Sequence, residues 1–538
     1  MVGLILVLLL VLALWPGSKV LQLWRHLGSL RTVLQQLEAH ADPEALSSLR
    51  PADFAALKDD FVALEAHLAA IEAEARPFLP LARRLGWLPR LGGDIQAAPA
   101  LLEMAGGVAR AGRLTLEGLE PLVMAWQEPP ADASGSLLER VLPTLVEAEP
   151  QLAKAEAELE QVATARNELV VSHLSPRLAM EVQRLDRYLP LLHQAVQGAR
   201  LAPTLLGAEG PRSYLVLAQN NHELRATGGF ISGVGLLRLD QGRIVEMNFK
   251  DSYAVDDYSK PHPSPPPALL KYMKAEILVL RDANWWPDFP TSAQALASLY
   301  ELDQEVVVDG VIAADLTAIE WLVGALQPLY LEGYDQPLTE RNVLEFMKAT
   351  WAAPPGAATI AERHQSDWWS HRKDFMSILL EGMLTRLESG EDVELGRLIW
   401  PLQRSLDEKH LLIHVNDPQA TELLAALGWD GVLRPGEGDF LLVVDSNVGF
   451  NKVNPRIQQA ISYQVTLREG ERPHAELMLR YRHTAAIQLE ECVHEPRYGD
   501  DYDDMMDRCY FDYVRVYVPA GSELRQASGF EPGSVESL

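Results

Sequence analysis

The periodicity of this chain changes near residue 212, and that break constrains the fold more than any other feature. From about Leu21 to Leu205, leucine and alanine recur at three- and four-residue steps with glutamate and arginine between them. That is the pattern of helices with one apolar face. Beyond the break, Tyr214–Ala218, Phe230–Leu239, Arg243–Phe249 and Val306–Ala313 read as strands, with Gly242 as a turn between the second and third. Ser292–Tyr300, Leu316–Leu326 and Pro418–Leu427 read as helices between or after strands, the last following a strand at His410–Val415. Strands alternating with helices predict an α/β layer fold. From Asp439 onward Phe440–Val444, Ala460–Arg468, Ala475–His483 and Tyr510–Val518 alternate apolar and polar residues, as in an antiparallel sandwich, although so few strands leave it incomplete. At roughly 100–200 residues per domain, 538 residues exceed one core. The expectation is a multidomain α+β protein: a membrane anchor at 1–18, a helical bundle or coiled-coil stalk at 19–205, an α/β domain at 206–435, and a β-rich domain at 436–538.

Within the helical part, Pro51 to Ala75, Leu137 to about Ser172 and Ser175 to Ala199 are the clearest helices. Gly92-Gly93, Gly106-Gly107 and Pro129-Pro130 read as breaks. Leu152, Ala155, Leu159 and Val162 keep a near-heptad beat, which fits an antiparallel bundle or, more sharply, a membrane-proximal coiled coil joining copies into a homo-oligomer. No catalytic signal lies here.

Val2 to Trp15 is an unbroken apolar run. At about 1.5 Å per residue it spans about 21 Å, short of the ~30 Å hydrocarbon core. A signal-peptide core would need a small-x-small cleavage site, and Trp15-Pro16-Gly17 is a poor one. The run therefore reads as a trimmed single-pass anchor with a basic segment upstream. Lys19 and Arg25 just after it pull against an exported bulk under the positive-inside rule. Cys492 and Cys509 pull towards one: they are the only cysteines, and bridged they would close a loop of about 18 residues. The alternative is two buried thiols. We expect the disulfide, and with it a membrane-anchored protein whose bulk is extracytoplasmic.

Acidic residues outnumber basic ones by 75 to 47, a net charge of −28. That argues against nucleic acid as a partner and against a polybasic grip on anionic lipid. Against this background the cations of residues 219–373 stand out. Gln219 to Phe230 holds Asn220, Asn221, Arg225 and a Gly228-Gly229 pair, which would let backbone N–H groups approach an oxyanion; a tight structural turn is the plainer reading. Lys250 and Asp251 end a strand, where α/β sheets place ligands. Arg281, Asp282, Trp285 and Asp288 fall within ten residues, as in a ligand site or an Arg–Asp pair under a tryptophan cap. Arg363, Asp367 and Arg372 precede a helix, Phe375–Leu387, whose N-terminus favours anions; a solvated basic face is the alternative. Cations beside carboxylates suggest a phosphate-bearing ligand with a divalent metal bridging its oxygens. No G-x-S-x-G elbow, Walker loop, H-E-x-x-H or Rossmann glycine run is present. The acidic loop at 500–507 (Asp500, Asp501, Asp503, Asp504, Asp507) is a weak calcium candidate, since it has no glycine where an EF-hand loop needs one.

The segments QNNHELRATGGFISGVGLL, LRDANWWPDFP, VDGVIAADLTAIEWLVGALQPL and DRCYFDYVRVYVPAGSEL resemble the bacterial family called domain of unknown function 4012, over about residues 205–530. That family is in turn similar to the LytR-CpsA-Psr family. These are membrane-anchored enzymes that move glycopolymers from polyprenyl-pyrophosphate carriers to the cell wall with magnesium and an arginine cluster. The resemblance implies Asp251 with Asp282 or Asp288 on magnesium, and Arg225, Arg281, Arg363 and Arg372 on the pyrophosphate. Three departures weaken transfer: Gly228-Gly229 stands where that family has Asp-Thr, Lys250 replaces an arginine and so cannot form a bidentate fork, and the family's glycine-rich turn is absent after Leu326. Two functions follow as expectations. One is an envelope protein that binds, or also transfers, a polyprenyl-linked glycan or cell-wall polymer. The other is a non-enzymatic adhesion or assembly protein on a degenerate phosphotransferase-like domain, its arginines paired internally with Asp282, Asp288 and Asp367.

Overall fold

A computed structural model describes residues 51–538 except 78, 90–91, 128–135, 352–373, 390–394, 486–491, 497–500, 532 and 537–538. The expected anchor and the Arg363, Asp367 and Arg372 cluster lie outside the described residues. No helix among the described residues is long and apolar enough to cross a membrane.

Among the described residues four long helices precede the first strand: α1 (Pro51–Ala75), α2 (Gly92–Gln127), α3 (Leu137–Asn167) and α4 (Pro176–Leu205). A capping box starts α3, with Ser136 accepting from the Glu139 backbone and Glu139 answering the Ser136 N–H. Its buried residues, Leu145, Ala148, Leu152, Ala155, Leu159 and Val162, hold three- and four-residue spacing and form the seam against α2 and α4. Gly106-Gly107 is not a break: both glycines lie inside α2. A Cβ at Gly107 would sit 2.4 Å from Val162 Cγ2, so that glycine lets α2 approach α3 closely.

The centre of the molecule is a five-stranded sheet in the order β3-β2-β1-β4-β5, comprising β1 (Arg212–Asn220), β2 (Phe230–Asp240), β3 (Arg243–Asp251), β4 (Gly310–Asp315) and β5 (Leu411–Val415). Only β1 and β4 run parallel; the other pairs are antiparallel. Strand alternation sends Leu215 and Leu217 of β1 to one face, where α6 (Phe289–Gln304) covers them with Phe289, Ala293 and Leu296. A short helix, α5 (Pro267–Met273), adds Leu269 to the same core. Ala218, on the opposite face, joins a core built from α7 (Leu316–Leu326), α8 (Val343–Trp351) and α9 (Asp374–Ser389). The other end of that face packs Tyr214 and Leu239 against α4 and against α11 (Pro418–Leu427), which follows α10 (Leu395–Asp407) and β5. The bundle is thus docked on the sheet rather than tethered to it. Gly242 makes the turn expected between β2 and β3 with φ +74°, and a side chain there would strike the Leu138 carbonyl of α3.

The expected C-terminal sandwich does not form among the described residues. Its strands make two separate pairs, β6 (Leu442–Val444) with β9 (Arg515–Tyr517), and β7 (Ile457–Thr466) with β8 (His474–His483). Ile461 and Met478 of the second ribbon are about half exposed, so no second sheet faces them. A three-residue pair and one hairpin offer too little apolar face to enclose a core. One short helix, α12 (Tyr502–Met506), lies before β9. Cys492 and Cys509 are bonded, with Cα atoms 5.6 Å apart, as the cysteine arithmetic predicted.

Candidate functional site

The loop between β1 and β2 is folded by its own polar groups. Asn220 Oδ1 accepts from the His222 N–H at 3.0 Å, Gly228 N donates to Arg225 O, and Phe230 N donates to Glu223 O at 2.8 Å. A Cβ on Gly229 would lie 2.3 Å from the Asn220 carbonyl carbon, and Gly228 has φ +127°. The paired glycines therefore close a tight turn, the plainer of the two readings. From the next loop Asn284 reaches in: its Nδ2 donates to Gln219 Oε1, Thr227 Oγ1 and Gly229 O at 2.8–3.0 Å. Asn284 is the pin of this loop pair, and its place among Arg, Asp and Trp residues hid it in the sequence.

The charges predicted to meet a phosphate instead meet one another. Arg225 is buried with its side chain 1% exposed; it donates to Glu223 Oε1 at 3.1 Å and to the Asn447 carbonyl, and its guanidinium lies over the Phe230 ring. Lys452 takes the other Glu223 oxygen. Asp282 is fully buried; burial pushes its carboxyl up while Arg225 and Arg281 pull it back. Arg281 donates to Asp256 Oδ2 at 2.9 Å and to the Tyr258 hydroxyl, and stacks 4.4 Å from the Tyr253 ring. Two ion-paired stretches, Lys452–Glu223–Arg225 and Arg281–Asp256, thus line up with Asp282 buried between them, in the field of both arginines but in no ion pair with either. Each stretch is held together by its pairing, and removing one member strands its neighbours.

The remaining expected ligands have separate tasks. Asp288 caps α6 through Thr291 and accepts from Leu433 N at 3.0 Å. Asp251 caps a short 3-10 turn through the Tyr253 N–H. Lys250 is exposed at the end of β3. Trp285 is buried, under Arg515 at 4.4 Å. Two groups of three metal-type side chains come together among the described residues, Glu156–Glu160–His193 and Asp256–His262–Asp303, and neither contains Asp251, Asp282 or Asp288. That metal trio is corrected: two of its carboxylates face their own helix caps. In the loop expected to suit calcium, Asp501 caps α12, Asp504 pairs with Arg508, and Asp507 with Arg456.

The C-terminal segment covers these loops. Asn447 N donates to Leu224 O, Leu224 N to Asn454 Oδ1, and Asn454 N to His222 O. Asn220 Nδ2 donates to the Tyr502 hydroxyl at 3.1 Å. Arg515 donates to the Trp285 carbonyl at 2.6 Å. Asn220 is 1% exposed as a result.

A second polar group lies at the carboxyl ends of the parallel strands; of its members only Asn221 was expected from the sequence, and Asp315, Thr317 and His410 were not. Asp315 caps α7 and accepts from His410 Nδ1 at 2.7 Å, while Asn221 Nδ2 donates to Thr317 Oγ1 at 3.0 Å and lies 3.4 Å from Asp315. The hydrogen bond to Asp315 holds the His410 imidazole up towards its charged form. Asp315 at the end of VIAAD, before a helix, was the available signal; its partner lies far along the chain.

Residues 209–351 match the model of a family described as "Protein of unknown function (DUF4012)", and that segment belongs to it. The match runs from β1 to α8 and takes in both loops, but not the C-terminal residues that cover them. No curated protein matches the chain.

Proposed function

With a DUF4012 segment at its centre, we propose that this is a membrane-anchored, extracytoplasmic cell-envelope protein acting in adhesion or assembly, on a domain like that of the LytR-CpsA-Psr enzymes. The observation that carries this reading is the closure of Arg225. The arginine that the resemblance aims at a pyrophosphate is bonded to Glu223 and to the carbonyl of Asn447, under a C-terminal segment that lies over the same loop. A transferase of that type needs its cations open to the carrier. An assembly module needs a rigid platform, which this network supplies.

The test is native mass spectrometry of the full chain, purified gently from a host with polyprenyl carriers, alongside envelope glycan attachment in cells. No bound polyprenyl phosphate, and attachment unchanged by Asp251→Ala and Arg363→Ala, is the expected result. A co-purified polyprenyl phosphate lost in Arg363→Ala overturns it.

One observation favours the carrier-binding reading. Lys250 is exposed at the end of β3, α9 contacts that strand through Ser377 and the Phe249 carbonyl, and Arg372 stands two residues before the start of α9 in the sequence. Under that reading the lipid phosphate binds there, with magnesium, rather than at Arg225.

A further inference from the structure

The loop after β3 and the last turn of α6 bring Asp256, His262 and Asp303 together, with ligand atoms within 4.8 Å of one another. The side chains of all three are 0% exposed. The imidazole orientation is fixed by its surroundings. His262 Nδ1 lies 3.0 Å from the Lys260 carbonyl, which can only accept, so the hydrogen is on Nδ1. A neutral ring then points the Nε2 lone pair at Asp303, whose two oxygens lie 3.1 and 3.2 Å away. Lone pair against carboxylate is repulsive, so positive charge must reside between them. Asp303 Oδ1, inside a residue 6% exposed, has no hydrogen-bond partner. Each Asp256 oxygen already accepts one bond, from Leu280 N and from Arg281, and keeps a lone pair free.

We propose that Asp256, His262 and Asp303 form a structural site for a divalent transition-metal ion of the zinc type. One imidazole and two carboxylates are a zinc-type donor set, and bonds of about 2.0–2.1 Å put neighbouring tetrahedral ligands about 3.3 Å apart. The spacing of His262 from Asp303 is close to that edge. The Nδ1–H bond to a backbone carbonyl is the outer-shell contact that metal-bound histidines keep. The ion joins the loop to α6 behind the Arg281–Asp256 pair, and is taken up as the protein folds. The other three-residue group is a poorer site, because Arg200 already engages Glu156.

The experiment is a metal titration of the full chain, purified in detergent and stripped with chelator. Co2+ is added stepwise and read by visible absorption, then displaced with Zn2+ while thermal unfolding is followed. One equivalent with tetrahedral-type bands, and a Zn2+-dependent rise in Tm, are expected. Asp303→Asn and His262→Gln lose that equivalent; Glu160→Gln keeps it. Binding of no equivalent by the stripped protein overturns the proposal, as does an equivalent surviving in His262→Gln; His262 then carries a proton at Nε2. Should these variants fail to fold, zinc X-ray absorption of His193→Gln decides. Imidazole scattering at the zinc supports the site, and its absence overturns it.

Discussion

The hydroxyl of Tyr502 lies 3.0 Å from Nδ1 of His222, residues 280 positions apart in the chain. That hydroxyl also accepts from Asn220 Nδ2, at 3.1 Å. Burial, with Lys348 and Lys452 nearby, pushes His222 down to about 4.

The sign of the resulting pH dependence follows. A depressed histidine adds stability above its unfolded pKa, and loses it as pH falls through the folded value. From 6.5 to about 4 the loss is on the order of 3 kcal/mol. Urea unfolding between pH 7 and 4.5 should show this acid limb, and His222→Asn should flatten it. Tyr502→Phe leaves two buried groups without a partner and should cost about 2 kcal/mol at pH 7.

Arg225→Ala should destabilise by about 3–5 kcal/mol, since it leaves Glu223 buried beside a lost partner and frees the Asn447 carbonyl. Limited proteolysis should then cut within residues 440–515 first. Arg225→Met with Glu223→Gln should lose less than Arg225→Ala, because the buried Glu223 charge goes with its partner; Lys452, which then lacks Glu223, sets the remaining cost.

Gly107→Ala places a methyl 2.4 Å from Val162 Cγ2, an overpacking that should cost about 1–3 kcal/mol. Adding Val162→Ala should recover part of that loss. Thermal unfolding of the two single variants and the double variant measures the coupling.

Asp512 is pushed up to about 8 by burial and by its hydrogen-bonded neighbour Asp445. A raised carboxyl contributes stability below its unfolded value, and that stability is lost as pH rises through the folded value. Stability should therefore fall from pH 4 towards 8. Asp512→Asn keeps the acceptor for the Ser446 N–H, and should unfold at higher denaturant than the parent at pH 8 but not at pH 4.

Local patterns were legible in the sequence. The seam of α3, the Gly242 turn and the bonded cysteines follow from periodicity, turn chemistry and the absence of other cysteines. Gly106-Gly107 misled because glycine breaks a helix and also lets helices approach, and only the position of Val162 tells which. The arginines misled for a related reason. Arg225 and Arg281 are visible as a cluster, and Glu223 stands two residues from Arg225, but nothing local shows that the loop is covered or that Arg281 turns to Asp256. Asn447 and Lys452 lie more than two hundred residues further along, and Asp256 lies 25 residues before Arg281 in the loop after β3. Asp315 and His410 were likewise separated by α7 to α10, so their pairing left no local mark.

The covering of the β1–β2 loop by residues 447–515 has a consequence for how the chain is made. Synthesis delivers the loop long before its cover, so the peptide N–H of Leu224 and the Arg225 donor to the Asn447 carbonyl then face water. The β1–β2 loop cannot reach its covered form while the residues from Asn447 onward are still on the ribosome. Any truncation upstream of Asn447 leaves a permanently open loop, so completion of the C-terminal segment acts as the checkpoint that separates finished molecules from unfinished ones.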